Sequence, residues 1–296
     1  MKKHILAVLA AGSLWGTMGM FTRTLATIGI DSTGAILVRC LLSAVFFGLT
    51  ILVTDPSQFK IRLKDFWCFF GSGVCSLLFF TFCYFHAINL MSLSAAAILL
   101  YTAPSIVMLL SALLFHERVT KTKLAALVLA FVGCCLVSGI MGGDTRITLA
   151  GLLFGLGSGF GYALYSIFAR FALLRGYGSN TVNFYSCLLA GLGACLISNP
   201  VNYAAAFTAS WGNALFCLLA SAVTCYLPYL LYTYSLTGLE NGKASVLASV
   251  EPMVATLLGI FIYHEKMTVW SLLGLLLVLT AIVLLNRKPQ EQLKEP

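Results

Sequence analysis

The sequence predicts an all-α integral membrane protein with ten transmembrane helices, arranged as two inverted five-helix repeats. Three observations predict this fold: the composition, the lengths of the apolar runs, and an internal repeat. Hydrophobic residues make up 60% of the 296 residues, and charged residues only 9%. A soluble core of this length cannot bury so much apolar surface with so few charges left for its exterior, whereas a bilayer accommodates that surface.

The apolar runs have the length that a membrane requires, since a spanning helix needs about 20 mostly apolar residues. We expect ten helices, at 5–27, 32–54, 66–88, 93–115, 122–141, 148–174, 179–198, 211–235, 241–263 and 268–286. The runs lack the short alternating segments of transmembrane barrels, so helices are the expected spanning structure. The first run continues past any signal-peptide cleavage site, and we therefore expect it to be a retained span.

The basic residues are divided unevenly between the two sides of the predicted bundle. With the N-terminus inside, the inner segments hold fourteen Lys and Arg residues and the outer segments hold three. Inner loops of membrane proteins carry this excess, so we predict that both termini are cytoplasmic and that 287–296 is a cytoplasmic tail. The positions of the charges account for the net charge of +8 without a nucleic-acid partner.

All ten cysteines fall within predicted spans and show no metal-type spacing. Buried thiols behave as small hydrophobic groups, and we interpret these cysteines as packing residues. We therefore expect neither a metal nor a cofactor.

An internal repeat divides the chain into two halves. "AAAILLYTAPSIVMLLSALLFHERVT" (95–120) aligns without gaps on "KASVLASVEPMVATLLGIFIYHEKMT" (243–268), with an offset of 148 and eight identities in 26 positions. We predict repeats at 1–141 and 148–286. Because five is odd, the second repeat enters the membrane from the opposite side. Secondary transporters often have this architecture and place the substrate near mid-membrane, although channels also use repeats.

The repeated motifs are similar to those of a known family. A proline midway along the fourth helix of each half, the "HE[RK]xT" turn after it, "LWG" near the start and "LVRCLLSA" (37–44) resemble the EamA-type transporters of the drug/metabolite transporter superfamily. The resemblance implies secondary transport of amino acids, related amines or drugs across a bacterial inner membrane, as efflux or exchange. It also implies a central cavity lined mainly by helices 1, 3, 4, 6, 8 and 9.

The main candidate for the transport chemistry is Glu251. It aligns on Ala103 of the first repeat and is the one acidic residue of ten that lies deep in a predicted span. A carboxylate there is unfavourable by about 2.5–3.5 kcal/mol on insertion scales. We interpret Glu251 as a residue that binds a cationic substrate or carries a coupling proton. The alternative is a structural carboxylate that caps free donors near a kink.

The shared prolines, Pro104 and Pro252, each free the carbonyl four residues earlier, at Leu100 and Ala248. We expect a kink in each fourth helix, with two interpretations left open: a hinge beside a cavity, or shape alone.

The remaining site candidates are a cation, a histidine and six aromatic residues. Arg39 is the basic residue within span 2 and is expected to pair with Glu251, to contact a helix end or to reach the surface. His86 is the one histidine within a predicted span. The aromatic candidates for a pocket that accepts amphipathic or cationic solutes are Trp15, Tyr101, Tyr162, Tyr165, Tyr226 and Tyr229.

An integral-membrane enzyme acting on lipids or peptides is the alternative function. Such an enzyme needs an acid and a base, an activated nucleophile or a metal cluster, and the sequence shows none of these, so we predict no enzyme. We expect the "HE[RK]xT" turns to be structural, with His116 and Glu117 pairing with basic neighbours and with Thr120 and Thr268 as N-caps. Protons, exchange and facilitated diffusion all fit as modes of transport, and the sequence does not indicate an oligomeric state.

Overall fold

The computed structural model of the chain describes residues 1–91, 93–137, 148–264 and 268–286. In these ranges the regular elements are all helical. Eight of the described helices are long and apolar enough to cross a membrane, and Val269–Leu285 is a shorter apolar helix. The protein is thus an all-α, multi-span membrane protein, as predicted.

The ten predicted spans correspond to ten helical units, several of them interrupted. They are α1 (Lys2–Gly16, then Met18–Thr27), α2 (Ser32–Thr54), α3 (Phe66–Phe70, Gly71–Leu78 and Phe79–Leu90), α4 (Leu93–Leu100, then Ala103–Phe115), α5 (Lys121–Val137), α6 (Leu149–Leu174), α7 (Ser179–Ile197), α8 (Trp211–Ser221, Ala222–Tyr226 and Leu227–Leu236), α9 (Asn241–Ala248, then Val250–Tyr263) and α10 (Val269–Asn286). The predicted end of span 5, the second HE turn at Glu265 and the tail 287–296 lie outside the described residues.

The sequence did not predict a short helix, Pro200–Thr208, between α7 and α8. Its Tyr203 hydroxyl donates to Asp31 Oδ1 at 2.8 Å, and the same oxygen accepts from the Gly34 backbone N–H at the start of α2. The short helix therefore contacts the α1–α2 loop of the other repeat.

Helices of the two inverted repeats pack against one another and form one core. Helix α1 of the first repeat packs on α8 and α9 of the second, and α6 of the second packs on α3 and α4 of the first. The pairs α2–α7 and α5–α10 also join the repeats. The repeats therefore meet where α1 and α6 cross the interrupted helices.

Helices α4 and α9 are interrupted just before their shared prolines. Tyr101 and Thr102 separate the two segments of α4, and Ser249 separates those of α9. Proline supplies no N–H for the helix ladder, so breaks form at the positions that Pro104 and Pro252 predict. In α4, the Thr102 hydroxyl donates to Leu99 O at 2.6 Å.

Glycines of α1 and α6 pack directly against these breaks. A Cβ atom on Gly12 would lie 2.9 Å from Ala248 O, and one on Gly159 would lie 2.7 Å from Leu99 O. Only a residue without a side chain permits such close approach of two backbones. The contact recurs in both repeats, which places each break beside the first helix of the opposite repeat.

Two π-helical segments occur at corresponding places, Gly71–Leu78 in α3 and Ala222–Tyr226 in α8. A π-helical turn is wider than an α-helical one and often occurs at functional sites. Phe80 follows the first segment and Tyr229 follows the second. Both aromatic side chains lie in the centre of the bundle.

One end of the bundle, which we call the basic face, carries Lys60, Lys64, Lys121 and Lys243. At this end Asp65 bonds Arg62 at 2.7 Å, Arg175 at 3.2 Å and the Tyr177 hydroxyl at 2.8 Å. Because Asp65 belongs to the first repeat and Arg175 and Tyr177 to the second, this cluster joins the repeats at the basic face.

Candidate functional site

A small aromatic cavity lies at the centre of the bundle, between α1, α3, α6 and α8, and we call it the chamber. Its volume is about 10 Å³, and its lining residues are Trp15, Ser76, Leu77, Phe80, Tyr162, Tyr165, Ser166, Tyr229 and Tyr232. This volume holds about one water molecule. In this conformation the chamber is therefore too small for a molecule much larger than water.

Trp15 forms the centre of the aromatic lining. Its side chain is buried, and its ring centroid lies 5.2 Å from that of Tyr229, 5.3 Å from Tyr232 and 6.3 Å from Tyr162. The rings meet edge to face or tilted, the arrangement that their quadrupoles favour. The electron-rich faces of these rings are of the kind that attract a cation.

Glu251 lies at the edge of the chamber, in the first turn of the second segment of α9. The residue is half-buried, and its Oε2 accepts a hydrogen bond from the Tyr162 hydroxyl at 3.3 Å. A negative charge is stabilised near the N-terminus of a helix by the helix dipole. Because the break in α9 starts a new helical segment just before Glu251, the carboxylate lies at such a position.

On the opposite side, the chamber wall is held by hydrogen bonds. The Tyr165 hydroxyl bonds Asn183 Oδ1 and lies 2.7 Å from Thr233 Oγ1. Asn183 Nδ2 in turn donates to Tyr229 O at 3.2 Å. These buried polar groups satisfy one another, which fixes the positions of the Tyr165 and Tyr229 rings.

Arg39 does not line the chamber. Its buried guanidinium donates to Thr224 O at 2.7 Å and to Met18 Sδ at 3.5 Å. Pro228 has no N–H and cannot donate to the Thr224 carbonyl four residues earlier, within the π-helical segment. Arg39 donates to this carbonyl instead. No hydrogen bond or ion pair joins it to Glu251, although the structure describes both side chains.

Two further candidates lie away from the chamber. His86 is exposed on the outside of α3, where its ring stacks on that of Phe154 at 5.0 Å and its Nδ1 lies 2.8 Å from Phe82 O. The Tyr226 hydroxyl lies 2.8 Å from Thr50 Oγ1, in a groove between α2 and α8. The π-helical turn that ends at Tyr226 changes the helix register, so this residue does not share a face with Tyr229.

The remaining predicted aromatic residues surround the site. Trp15, Tyr162, Tyr165 and Tyr229 line the chamber, and Tyr101 lies at the break in α4, where it is half-buried.

Sequence reasoning missed five of the lining residues, which are Ser76, Leu77, Phe80, Ser166 and Tyr232. Spacing along the helices contained a signal for two of them. Tyr232 follows Tyr229 by three positions, Ser166 follows Tyr162 by four, and such positions share a helix face. Ser166 Oγ lies 2.7 Å from the Tyr232 hydroxyl, so the two residues join α6 to α8.

The first HE turn makes a different contact from the one predicted. Within the described part of the chain Glu117 has no ion pair with a basic neighbour; its carboxylate accepts from the backbone N–H groups of Asn241 at 2.7 Å and Gly242 at 3.1 Å. These are the first residues of α9, in the other repeat. The predicted caps do form, since Thr120 Oγ1 accepts from Lys123 N at 3.2 Å, and the Thr268 hydroxyl accepts likewise from Ser271 N at 3.0 Å.

Known proteins resemble this chain over nearly its whole length. An uncharacterized transporter of Archaeoglobus fulgidus is 27% identical over 95% of this chain and 96% of its own. The uncharacterized transporter YxxF of Bacillus subtilis is 24% identical over 92% of this chain and 85% of its own. A solved crystal structure with 16% identity shares the fold, with a TM-score of 0.78 over 97% of both chains. The model of the EamA-like transporter family matches residues 2–139 and 149–287, and the chain therefore belongs to this family.

Proposed function

We propose that this membrane transporter is a secondary transporter that exports small amine-bearing metabolites, such as amino acids, related amines or drugs. The observation that carries the proposal is the position of Glu251 at the break in α9, beside the aromatic chamber where the repeats cross. A carboxylate next to electron-rich rings is chemistry that recognises a substituted ammonium group.

The substrate contacts follow from the lining. Glu251 would pair with the ammonium group, while the Trp15, Tyr229 and Tyr232 rings would enclose the carbon atoms attached to it. A desolvated cation–π contact contributes about 2 kcal/mol. The same carboxylate is suited to coupling, because a proton and a cationic substrate compete for one site. Exchange of one for the other gives export driven by an inward proton gradient.

Alternating access would use the two breaks as hinges. Pro104 and Pro252 leave each helix without a continuous hydrogen-bond ladder at mid-depth, and the glycine contacts of α1 and α6 permit sliding there. We place the basic face in the cytoplasm and the protein in the cytoplasmic membrane, with both termini inside, because the excess of Lys and Arg in loops marks that side.

The test is transport by purified protein in liposomes. A thermal-shift screen against amino acids, organic cations and nucleosides first identifies a ligand, and its uptake is then measured with and without an imposed pH gradient. Glu251→Gln keeps the size and hydrogen bonding of the side chain but cannot titrate or carry charge. We expect the variant to fold but to lose concentrative transport or selectivity for cations.

Asp55→Asn is the matched control, since it makes the same chemical change in the α2–α3 loop and should transport as the wild type does. A Glu251→Gln protein with the wild-type rate and an unchanged pH profile would show that the carboxylate is structural.

A further inference from the structure

The first segment of α9, Asn241–Ala248, runs from the basic face toward Glu251 at the edge of the chamber. It begins at that face and ends three residues before Glu251, after about 12 Å of helix. Every residue of the segment except Lys243 is buried. The segment packs against α1, the second segment of α4, and α6.

The end of this segment nearest the chamber is free to bend. The helix ladder stops at Ala248, and Ser249 N closes a tight turn on Val246 O at 3.1 Å. Pro252 offers no N–H to Ala248 O. The segment therefore pivots at Ser249 without breaking helical hydrogen bonds in the rest of α9.

The end at the basic face is held by the opposite repeat. Glu117 accepts from Asn241 N and Gly242 N, two of the N–H groups that a helix N-terminus leaves without partners. Lys123 of α5 pairs with Glu240, the residue just before the segment.

A line of hydrogen bonds continues from this end to the chamber. Asn241 Nδ2 donates to Ser166 O at 3.1 Å, and Ser166 Oγ lies 2.7 Å from the hydroxyl of Tyr232, which lines the chamber. The capped end of α9 and the chamber wall are thus mechanically connected.

We propose that Glu117 is the latch of a gate at the basic face: it holds the first segment of α9 closed, and its release lets the segment pivot at Ser249 and open the chamber to that face. The proposal rests on the proposed transport function, in which Glu117 is a positioning residue that does not touch the substrate. The carboxylate comes from a turn that ends α4 with His116 in the left-handed conformation, at φ 55°. Motion of α4 against α9 therefore makes or breaks the latch.

Side-specific thiol labelling tests the latch without any transport assay. Ser245→Cys introduces a thiol in the middle of the buried segment, and a membrane-impermeant maleimide is applied to either face of oriented vesicles. Labelling of the parent protein without this substitution gives the background from the native cysteines. We then compare Ser245→Cys alone with Ser245→Cys combined with Glu117→Ala or Glu117→Gln.

We expect Glu117→Ala to raise the labelling rate from the basic face by about three- to thirty-fold, the range that loss of a helix cap gives. Glu117→Gln keeps one acceptor oxygen and should give a smaller rise. Labelling from the opposite face should not increase, because opening on one side closes the other. A rise from both faces, or a labelling rate within about two-fold of that of Ser245→Cys alone, would overturn the proposal; if Glu117→Ala does not fold, Glu117→Gln decides by the same criteria.

Asp55→Ala is the control for a lost carboxylate cap. Asp55 accepts from Ser57 N at 3.0 Å within its own loop, and hydrogen bonds from Ser57 hold the pKa of the Asp55 carboxyl below its usual range. Its removal should leave labelling unchanged, and an equal rise would refute the latch. If Glu251→Gln transports normally while Glu117→Ala still exposes the introduced thiol, the proposed substrate site fails and the gate stands.

Discussion

The contact between α1 and α9 beside Glu251 is close enough that one methyl group should disrupt it. A Cβ atom on Gly16 would lie 2.7 Å from Glu251 O and 2.7 Å from Val254 Cβ. Carbon atoms in good contact are about 3.5–4.0 Å apart, so the methyl group of Gly16→Ala is roughly 1 Å too close to Val254. Neither obstacle can rotate away, because one is a backbone atom and the other a Cβ.

The expected penalty is that of overpacking, about 1–3 kcal/mol. For a chain of this size, each kcal/mol shifts Tm by roughly 2–4 °C, so we expect Gly16→Ala to lower Tm by about 2–12 °C. Gly19→Ala is the matched control three residues along α1, where the added Cβ meets nothing within 4 Å. Its Tm should equal that of the wild type or rise slightly, because alanine favours a helix by about 0.5–1 kcal/mol over glycine.

Thermal unfolding in detergent, followed with a thiol-reactive fluorophore, measures the difference, because the many buried cysteines react only when the bundle opens. Gly16→Ala should also slow transport, since it displaces the backbone that carries Glu251. A Gly16→Ala protein as stable as the wild type would refute the close packing of α1 on α9. So would an equal loss of stability in Gly19→Ala.

Two further predictions concern the HE turns. Reporter fusions at residues 120 and 267 should report opposite sides of the membrane, because an odd number of spans separates the equivalent turns; reports from the same side would contradict the inverted repeat. His116 and His264 both adopt the left-handed backbone conformation, with φ 55°. This conformation costs a residue other than glycine about 1–2 kcal/mol. His116→Gly should therefore keep or raise Tm, and His116→Val should lower it; the opposite order in thermal unfolding would show that the imidazole itself stabilises the turn.

The sequence predicted those features that depend on local chemistry. Apolar run lengths gave the number of helices, and the gapless repeat gave their inverted arrangement. Pro104 and Pro252 marked the two breaks, because a missing N–H interrupts a helix whatever surrounds it. Glu251 stood out since a carboxylate in a span is unfavourable without a partner, although its proposed role still awaits the transport experiment.

The features that the sequence did not predict depend on helix register and on contacts between the repeats. Tyr226 was grouped with Tyr229 as an aromatic residue of a candidate cavity helix, but the π-helical segment of α8 places the two on different faces. Glu117 was assigned to basic neighbours in its own turn, whereas its partners are backbone groups more than 120 positions away. Backbone N–H groups have no signature in the sequence, so no pattern could identify them.

Arg39 provides a test of this distinction, because Pro228 cannot donate to the carbonyl that the guanidinium contacts. In the wild type the guanidinium is the donor to Thr224 O, and Arg39→Met should cost about 1.5–3 kcal/mol by leaving that buried carbonyl unpaired. Pro228→Ala restores an N–H four residues after Thr224, which gives the carbonyl a helical partner.

Thermal unfolding of the wild type, both single variants and the double variant then forms a double-mutant cycle. Arg39→Met should lower Tm less in the Pro228→Ala background than in the wild type, with a coupling of about 1 kcal/mol or more. If the stability changes of the two single variants simply add in the double variant, the hydrogen bond from Arg39 does not replace an N–H that Pro228 lacks. Loss of pH-dependent transport in Arg39→Met with unchanged stability would instead return Arg39 to the coupling role beside Glu251.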